Sequence, residues 1–210
     1  MLHLGIPSEK ISVVSWGISD KFKPASKRER SSHVVGYLGT LSRRKGLPYL
    51  ITAVHAYTKG HPDLPVKLAI YGRRQLEYPR LSSMVHELGL DQVVEFGGSV
   101  PEHKLVDTYN SFSILVLPSE CEGFGLPILE AQRCGVPVII RGDAHIPGEV
   151  SKSCLKASSE EDMADKIYEL LTNAILRQST IEEGLEYSQQ FTWGRTVQET
   201  LEVYEAALSA

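Results

Sequence analysis

Two carboxylates eight residues apart, Glu122 and Glu130, bracket the segment Gly123-Phe124-Gly125-Leu126-Pro127. Pro127 suits the first turn of a helix, where its missing N–H leaves no bond unmade. The residues just before it then present the free N–H groups of a helix start, which favour a phosphate or a sugar oxygen. Their glycines let a ligand approach the backbone closely. A carboxylate accepts hydrogen bonds from two neighbouring hydroxyls at once, as a sugar or a ribose offers them. Hydrogen bonds to a charged group contribute about 1.5–3 kcal/mol each. With Glu122 in the loop and Glu130 on the second turn of the helix, the pair can hold the two ends of one extended ligand. Lys45, in another loop, supplies a cation for a diphosphate between them. The spacing alone fits a solvated carboxylate pair and a surface lysine equally well, so the surrounding elements must decide.

Those elements are short apolar runs closed by Gly or Pro: Val34–Leu38, Lys67–Tyr71, Val93–Phe96, Ile114–Leu117 and Val136–Ile140. Such runs read as strands buried on both faces. Between them lie helix-length segments, among them 47–59, where Leu50, Ile51, Val54 and Tyr57 recur at helical spacing, then 81–90 and 103–110. The alternation predicts an α/β fold: a doubly wound, Rossmann-like parallel sheet of about six strands, the sixth in Ser151–Ala157. Ligands of such sheets bind beyond the carboxyl ends of the strands. Here those ends are 39–46, 72–75, 97–101, 119–125 and 141–148. The first lacks the Gly-Lys-Ser/Thr ending of a triphosphatase loop, and Ile128 stands where a dinucleotide fingerprint needs its last glycine. A hydride-transferring dehydrogenase is thereby disfavoured.

The flanks read differently. Residues 1–24 resemble a linker, with a strand candidate at Lys10–Ser15 and a turn at Trp16-Gly17, followed by a polar stretch, Ala25–Ser32. The domain proper is expected at 25–190. Ser158 or Ser159 can cap a helix, and residues 191–210 form a closing helix. Its stripe of Trp193, Val197, Leu201, Tyr204 and Leu208 is expected to join the core. A formal net charge of −4 disfavours nucleic acid as a partner. No apolar run reaches membrane-spanning length, and Met1–Gly5 lacks signal-peptide character. Three widely spaced cysteines and no Asp-x-Asp triplet predict a reducing, cytoplasmic setting without bound metal or cofactor.

The ordered string Pro118-Ser119-x-x-Glu122-Gly123-Phe124-Gly125-Leu126-Pro127-x-x-Glu130-Ala131-x-x-x-Gly135-x-Pro137-Val138-Ile139 resembles the donor-binding signature of family-4 glycosyltransferases, retaining enzymes with two Rossmann-like domains (the GT-B fold). Gly36-x-x-Gly39-x-Leu41-Ser42-x-x-Lys45-Gly46 is similar to that family's first strand and phosphate loop. Ile70-Tyr71-Gly72 and Val94-Glu95-Phe96-x-Gly98-x-Val100 are similar to its next two strands, and Phe191-x-Trp193 to the start of its closing helix. The resemblance implies a nucleotide-diphosphate sugar donor bound without metal. Glu122 would bind hydroxyls of the transferred sugar. The backbone of Gly123, Phe124, Gly125 and Leu126 would hold the sugar and distal phosphate. Glu130 would hold the ribose hydroxyls, and backbone from Gly98 to Val100 would meet the base. Lys45 would neutralise the diphosphate leaving group, beside Gly39 and Thr40. Thr40 stands where the family has an arginine, and Arg43 or Arg44 is the expected replacement. Trp16 stands where it has asparagine before the linker glycine.

At 210 residues the chain accommodates one of the two domains. The expectation is a second, donor-binding half. Its partner is an N-terminal domain of the same protein that carries most of the acceptor site, the acceptor being a sugar, a lipid or a small molecule. Through that domain the protein would reach a membrane surface peripherally. By itself the half should transfer little. Two other readings fit the same fold: a sugar-nucleotide-binding module without transfer, and a phosphorylase- or epimerase-like enzyme.

Overall fold

The computed structural model describes residues 5–26 and 33–209. Most of the polar stretch expected at Ala25–Ser32, and residues 1–4 of the leading segment, lie outside the described residues.

Six parallel strands form one sheet: β1 (Val34–Leu38), β2 (Lys67–Tyr71), β3 (Val94–Gly98), β4 (Ile114–Leu117), β5 (Val138–Arg141) and β6 (Leu155–Ala157), in the order β3-β2-β1-β4-β5-β6. The helices are α1 (Leu47–Gly60), α2 (Tyr78–Glu87), α3 (Leu105–Ser111), α4 (Leu126–Arg133), α5 (Gly148–Ser151), α6 (Glu160–Thr172), α7 (Ala174–Ser188) and α8 (Trp193–Leu208). This is the expected Rossmann-like, doubly wound arrangement. The four central strands carry the continuous apolar runs because helices cover both of their faces. Val35, Leu68, Ile114, Leu115, Val116, Val138 and Ile139 have no exposed surface. Chain direction across the sheet reverses between β1 and β4. At that switch point the loops leaving both strands diverge and open a crevice.

Strand bounds move by a few residues. β3 runs on to Gly98, where Gly72 N–H donates to Gly98 O at 2.7 Å, and β5 begins after Pro137, which has no N–H to donate. Ser159 caps α6 by accepting from Asp162 N–H, and Thr192 caps α8 by accepting from Arg195 N–H.

Two expectations at the flanks are overturned. Lys10–Ser15 forms no strand: Lys10 ends a 3-10 turn, and Ile11 to Ser15 are irregular. The segment runs beside α8 instead of a sheet edge. Thr196 Oγ1 donates to Ser15 O at 2.8 Å, and Ile18 N–H donates to Phe191 O at 3.0 Å. Further on, the leading segment enters the core itself, with Ile18 and Phe22 buried. The stripe on α8 does not join the core. Trp193, Val197, Leu201, Tyr204 and Leu208 are all more than half exposed. Helical periodicity gives the stripe an apolar face but says nothing of what covers it. Among the described residues, no helix is long and apolar enough to cross a membrane.

A tight joint lies at the switch point. A 3-10 turn, Arg43–Lys45, passes into α1 through Gly46, whose φ is +65°. A Cβ added there would stand 2.0 Å from the Pro118 carbonyl oxygen at the end of β4. Both the left-handed backbone and the contact demand glycine. Gly46→Ala is therefore expected to lower the unfolding free energy by about 2 kcal/mol or more, measured by urea denaturation. An alanine variant as stable as the parent would refute this account of the joint.

Candidate functional site

The crevice between β1 and β4 is walled by two loops. On the β1 side, Tyr37 is fully buried and its hydroxyl donates to Thr40 O at 3.0 Å, which fixes the turn after Gly39. Gly39 N–H donates to Tyr71 O at 3.0 Å and Leu41 N–H to Arg73 O at 3.3 Å, so the loop is also tied to the end of β2. Burial, and secondarily the charge of Glu122, keeps the Tyr37 phenol well above its ordinary range. On the β4 side, residues 119–125 are stitched across the crevice. Glu120 N–H donates to Arg44 O at 3.0 Å, His145 N–H to Glu120 O at 2.8 Å, and Glu122 N–H to His145 O at 3.0 Å. A one-residue parallel bridge, Cys121 with His145, results.

These ties bring Lys45 and Glu122 together. The Lys45 ammonium donates to both carboxylate oxygens of Glu122 at 2.7 Å. Only 16% of the lysine side chain and 8% of the glutamate side chain remain exposed. The sequence reading made Lys45 the cation for a diphosphate between Glu122 and Glu130; in the structure Lys45 and Glu122 neutralise one another directly. Fully buried Ser119 lies three residues before Glu122, and its Oγ has no hydrogen-bond partner among the described residues.

Gly125, at φ +103°, turns the chain into α4 with Pro127 in the first turn, as the sequence predicts. Among the described residues, the N–H groups of Gly123, Phe124, Gly125 and Leu126 donate to no protein acceptor. They edge a cleft of about 550 Å³ between Glu122–Pro127 on one side and Val13, Val14 and Trp16 of the leading segment on the other. Trp16 stands 6.4 Å from Phe124, centroid to centroid. A second cleft, about 610 Å³, opens beyond β1 and β2 between Leu41, Ser42, Arg43 and Gln75, Leu76, Glu77.

The remaining candidates are spread along the carboxyl edge. Gly98 ends β3 at φ +73°, and Val100 follows it half-buried. Thr40 is half-buried, with its carbonyl accepting from Tyr37 and from Ser42 N–H. Arg43 and Arg44 are exposed, and neither side chain makes a hydrogen bond or ion pair among the described residues, although the Arg44 carbonyl holds the Glu122 loop. Arg74 is engaged elsewhere, donating to Phe96 O at 3.2 Å and lying over the Tyr78 ring. Glu130 points to α3, where its Oε2 accepts from the Tyr109 hydroxyl at 2.6 Å. Burial raises the Glu130 carboxyl above the usual range, and the Tyr109 hydrogen bond and the Lys21 charge partly oppose this. Among the described residues, no group of three or more His, Cys, Asp or Glu is placed to hold a metal ion.

Sequence reasoning missed the Tyr37 and Tyr109 hydroxyls and the His145 backbone, and it placed Trp16 in the linker turn without its contact to Phe124. Tyr37 sat inside an apolar strand run and Tyr109 in a helix-length segment. Only the facing loop or helix shows that the Tyr37 hydroxyl reaches Thr40 O and the Tyr109 hydroxyl reaches Glu130.

Residues 19–187 match the family described as glycosyl transferases group 1. A D-inositol 3-phosphate glycosyltransferase of Corynebacterium jeikeium is 31% identical over 205 residues, covering 89% of this chain and 49% of its own. The C-terminal domain of a glycosyl transferase group 1 family protein (LpcC) from Francisella tularensis superposes with a TM-score of 0.69 at 25% identity, over 80% of this chain and 94% of that one. Anabaena HepE, solved in complex with UDP and glucose, superposes with a TM-score of 0.82 at 21% identity, over 100% of this chain and 60% of its own. The chain spans about half the length of the curated relatives it matches.

The ion pair yields a stability prediction that needs no ligand. Lys45→Met leaves a nearly buried carboxylate without its partner and should cost about 1–3 kcal/mol of unfolding free energy. The double variant Lys45→Met/Glu122→Gln, which removes both charges, should recover most of that loss. Additive losses in a double-mutant cycle by urea denaturation would mean that the pair is not coupled.

Proposed function

Because the chain belongs to the group 1 glycosyl transferases, we propose that it is the donor-binding half of a retaining enzyme, which transfers a hexose from a nucleoside diphosphate sugar to a sugar, lipid or small-molecule acceptor. The observation that carries this reading is the Lys45–Glu122 pair at the switch-point crevice, beside the unpaired N–H groups that open α4.

Donor binding exchanges partners within that pair. The diphosphate takes the Lys45 ammonium, and hydroxyls of the transferred sugar take the freed Glu122 carboxylate. The N–H groups from Gly123 to Leu126 receive the distal phosphate, where the helix dipole favours negative charge. Glu130 receives the ribose hydroxyls, and backbone around Gly98 and Val100 meets the base. As the glycosidic bond to the diphosphate breaks, negative charge grows on the leaving oxygen. A lysine ammonium already beside the diphosphate stabilises that charge. Binding of the donor needs no metal in this scheme. The complex of Anabaena HepE with UDP and glucose supports a uridine donor as the first to test.

The exposed stripe on α8 and the open side of the Trp16 cleft support a companion domain in the same protein, which supplies the acceptor side. This half alone should turn over little, because a one-walled cleft neither orients an acceptor nor excludes water. A second reading, a nucleotide-sugar-binding module without transfer, draws on Thr40 in place of arginine and on the exposed Arg43 and Arg44. A transfer assay on the full-length protein separates the two.

Titration of UDP, GDP, ADP and their sugars into this chain tests the donor site. One nucleotide family is expected to bind at millimolar concentration or below. Lys45→Ala and Glu130→Ala should each weaken that binding by about tenfold or more. Absence of binding by all three families at millimolar concentration would overturn the proposal, and unchanged binding by both variants would overturn the residue roles.

A further inference from the structure

Tyr109 is a tyrosine that the reading above does not use. It sits on α3 with no exposed surface, its ring edge-on to Phe22 and Phe112 at 5.9 and 6.3 Å. Both aromatic contacts would serve packing equally well with phenylalanine. The hydroxyl is what phenylalanine lacks, and it is spent on Glu130 Oε2 at 2.6 Å, the short distance of a charge-assisted hydrogen bond. The other oxygen, Oε1, has no hydrogen-bond partner among the described residues. One carboxylate is thus tied at one oxygen and not at the other.

We propose that Tyr109 is a positioning residue, which holds Glu130 in the rotamer that presents Oε1 to the vicinal hydroxyls of a ribose. The proposal rests on the reading of Glu130 as the ribose acceptor and adds the group that makes the carboxylate fit for it. A glutamate has three side-chain torsions, and a free one spreads its acceptor over several positions. Fixing one oxygen removes that freedom before the ligand arrives. The bond also keeps the acceptor charged. Among the described residues, the titratable and charged groups facing Glu130 are Tyr109 from α3 and Lys21 from the leading segment; both oppose the rise that burial imposes on its carboxyl. Lys21 is shared with Glu102, at 2.9 Å. Tyr109 in turn is kept protonated, and therefore a donor, by burial and by the charge and hydrogen bond of Glu130.

Glu130 accepts from two hydroxyls only when ionised, so preference for ribose is full above its pKa and is lost as pH falls through it. Without the Tyr109 hydroxyl that pKa rises, and the loss begins at a higher pH.

The test compares UDP, GDP and ADP with their 2′-deoxy forms by calorimetry on the 210-residue chain, for the parent, Tyr109→Phe and Glu130→Ala, across pH 5 to 8. The ratio of ribo to deoxy affinity cancels the titration of the phosphates. For whichever nucleotide binds, Tyr109→Phe should lower that ratio about three- to tenfold at neutral pH and move its acid limb upward. Glu130→Ala should abolish both the ratio and the limb. If Glu130→Ala keeps the ratio, the ribose role of Glu130 falls. If Glu130→Ala loses it while Tyr109→Phe keeps both ratio and limb, Tyr109 is a packing residue and the proposal falls. Should Tyr109→Phe not fold, Tyr109→Met fills the same space without a donor and is read the same way.

Discussion

A lysine ammonium and a glutamate carboxylate, 2.7 Å apart and almost out of solvent, sit where the order of strands reverses. Removing two charges from water costs several kcal/mol apiece. The arrangement therefore persists only while the loops bearing them are held in register. The register comes from backbone: Glu120 N–H on Arg44 O ties the second loop to the first, and the His145 bridge ties it to the loop after β5. Gly46 lets the first loop approach the end of β4 to a distance that no other residue type allows. Without these ties the two charges would separate into water.

The same pair links the fold to chemistry. In the proposed function each member has a replacement partner in a nucleoside diphosphate sugar, the anion for Lys45 and the sugar hydroxyls for Glu122. An unliganded site that satisfies its own charges avoids a buried, unpaired ion, and a ligand that satisfies both can displace the pair at little net electrostatic cost. The free N–H groups at the start of α4 add a fixed attraction for phosphate that rearranges nothing.

The flanks show how packing and patterning part company. Ile18 and Phe22 belong to a segment that reads as a linker, yet they complete the core over α3 and α4 and place Lys21 near Glu130. The α8 stripe reads as core, yet it faces outward. Both misreadings share one cause. An apolar pattern reports that a face wants cover, and only the path of the rest of the chain tells which element provides it.

The fold was legible in the sequence because its signals are local. Apolar runs such as Ile114–Leu117 closed by Pro118-Ser119 can only be buried strands, and the glycines and Pro127 mark where loops end and helices start. Glu122, Glu130 and Lys45 stood out for the same reason, as charged residues in predicted strand-end loops and a helix start. What tertiary structure alone decided was the pairing. The direct bond from Lys45 to Glu122 spans 77 residues of chain, and the bond from Tyr109 to Glu130 joins two helices. Distances of this kind depend on sheet order and on how far each loop is drawn across the crevice, and no local pattern of residues encodes either.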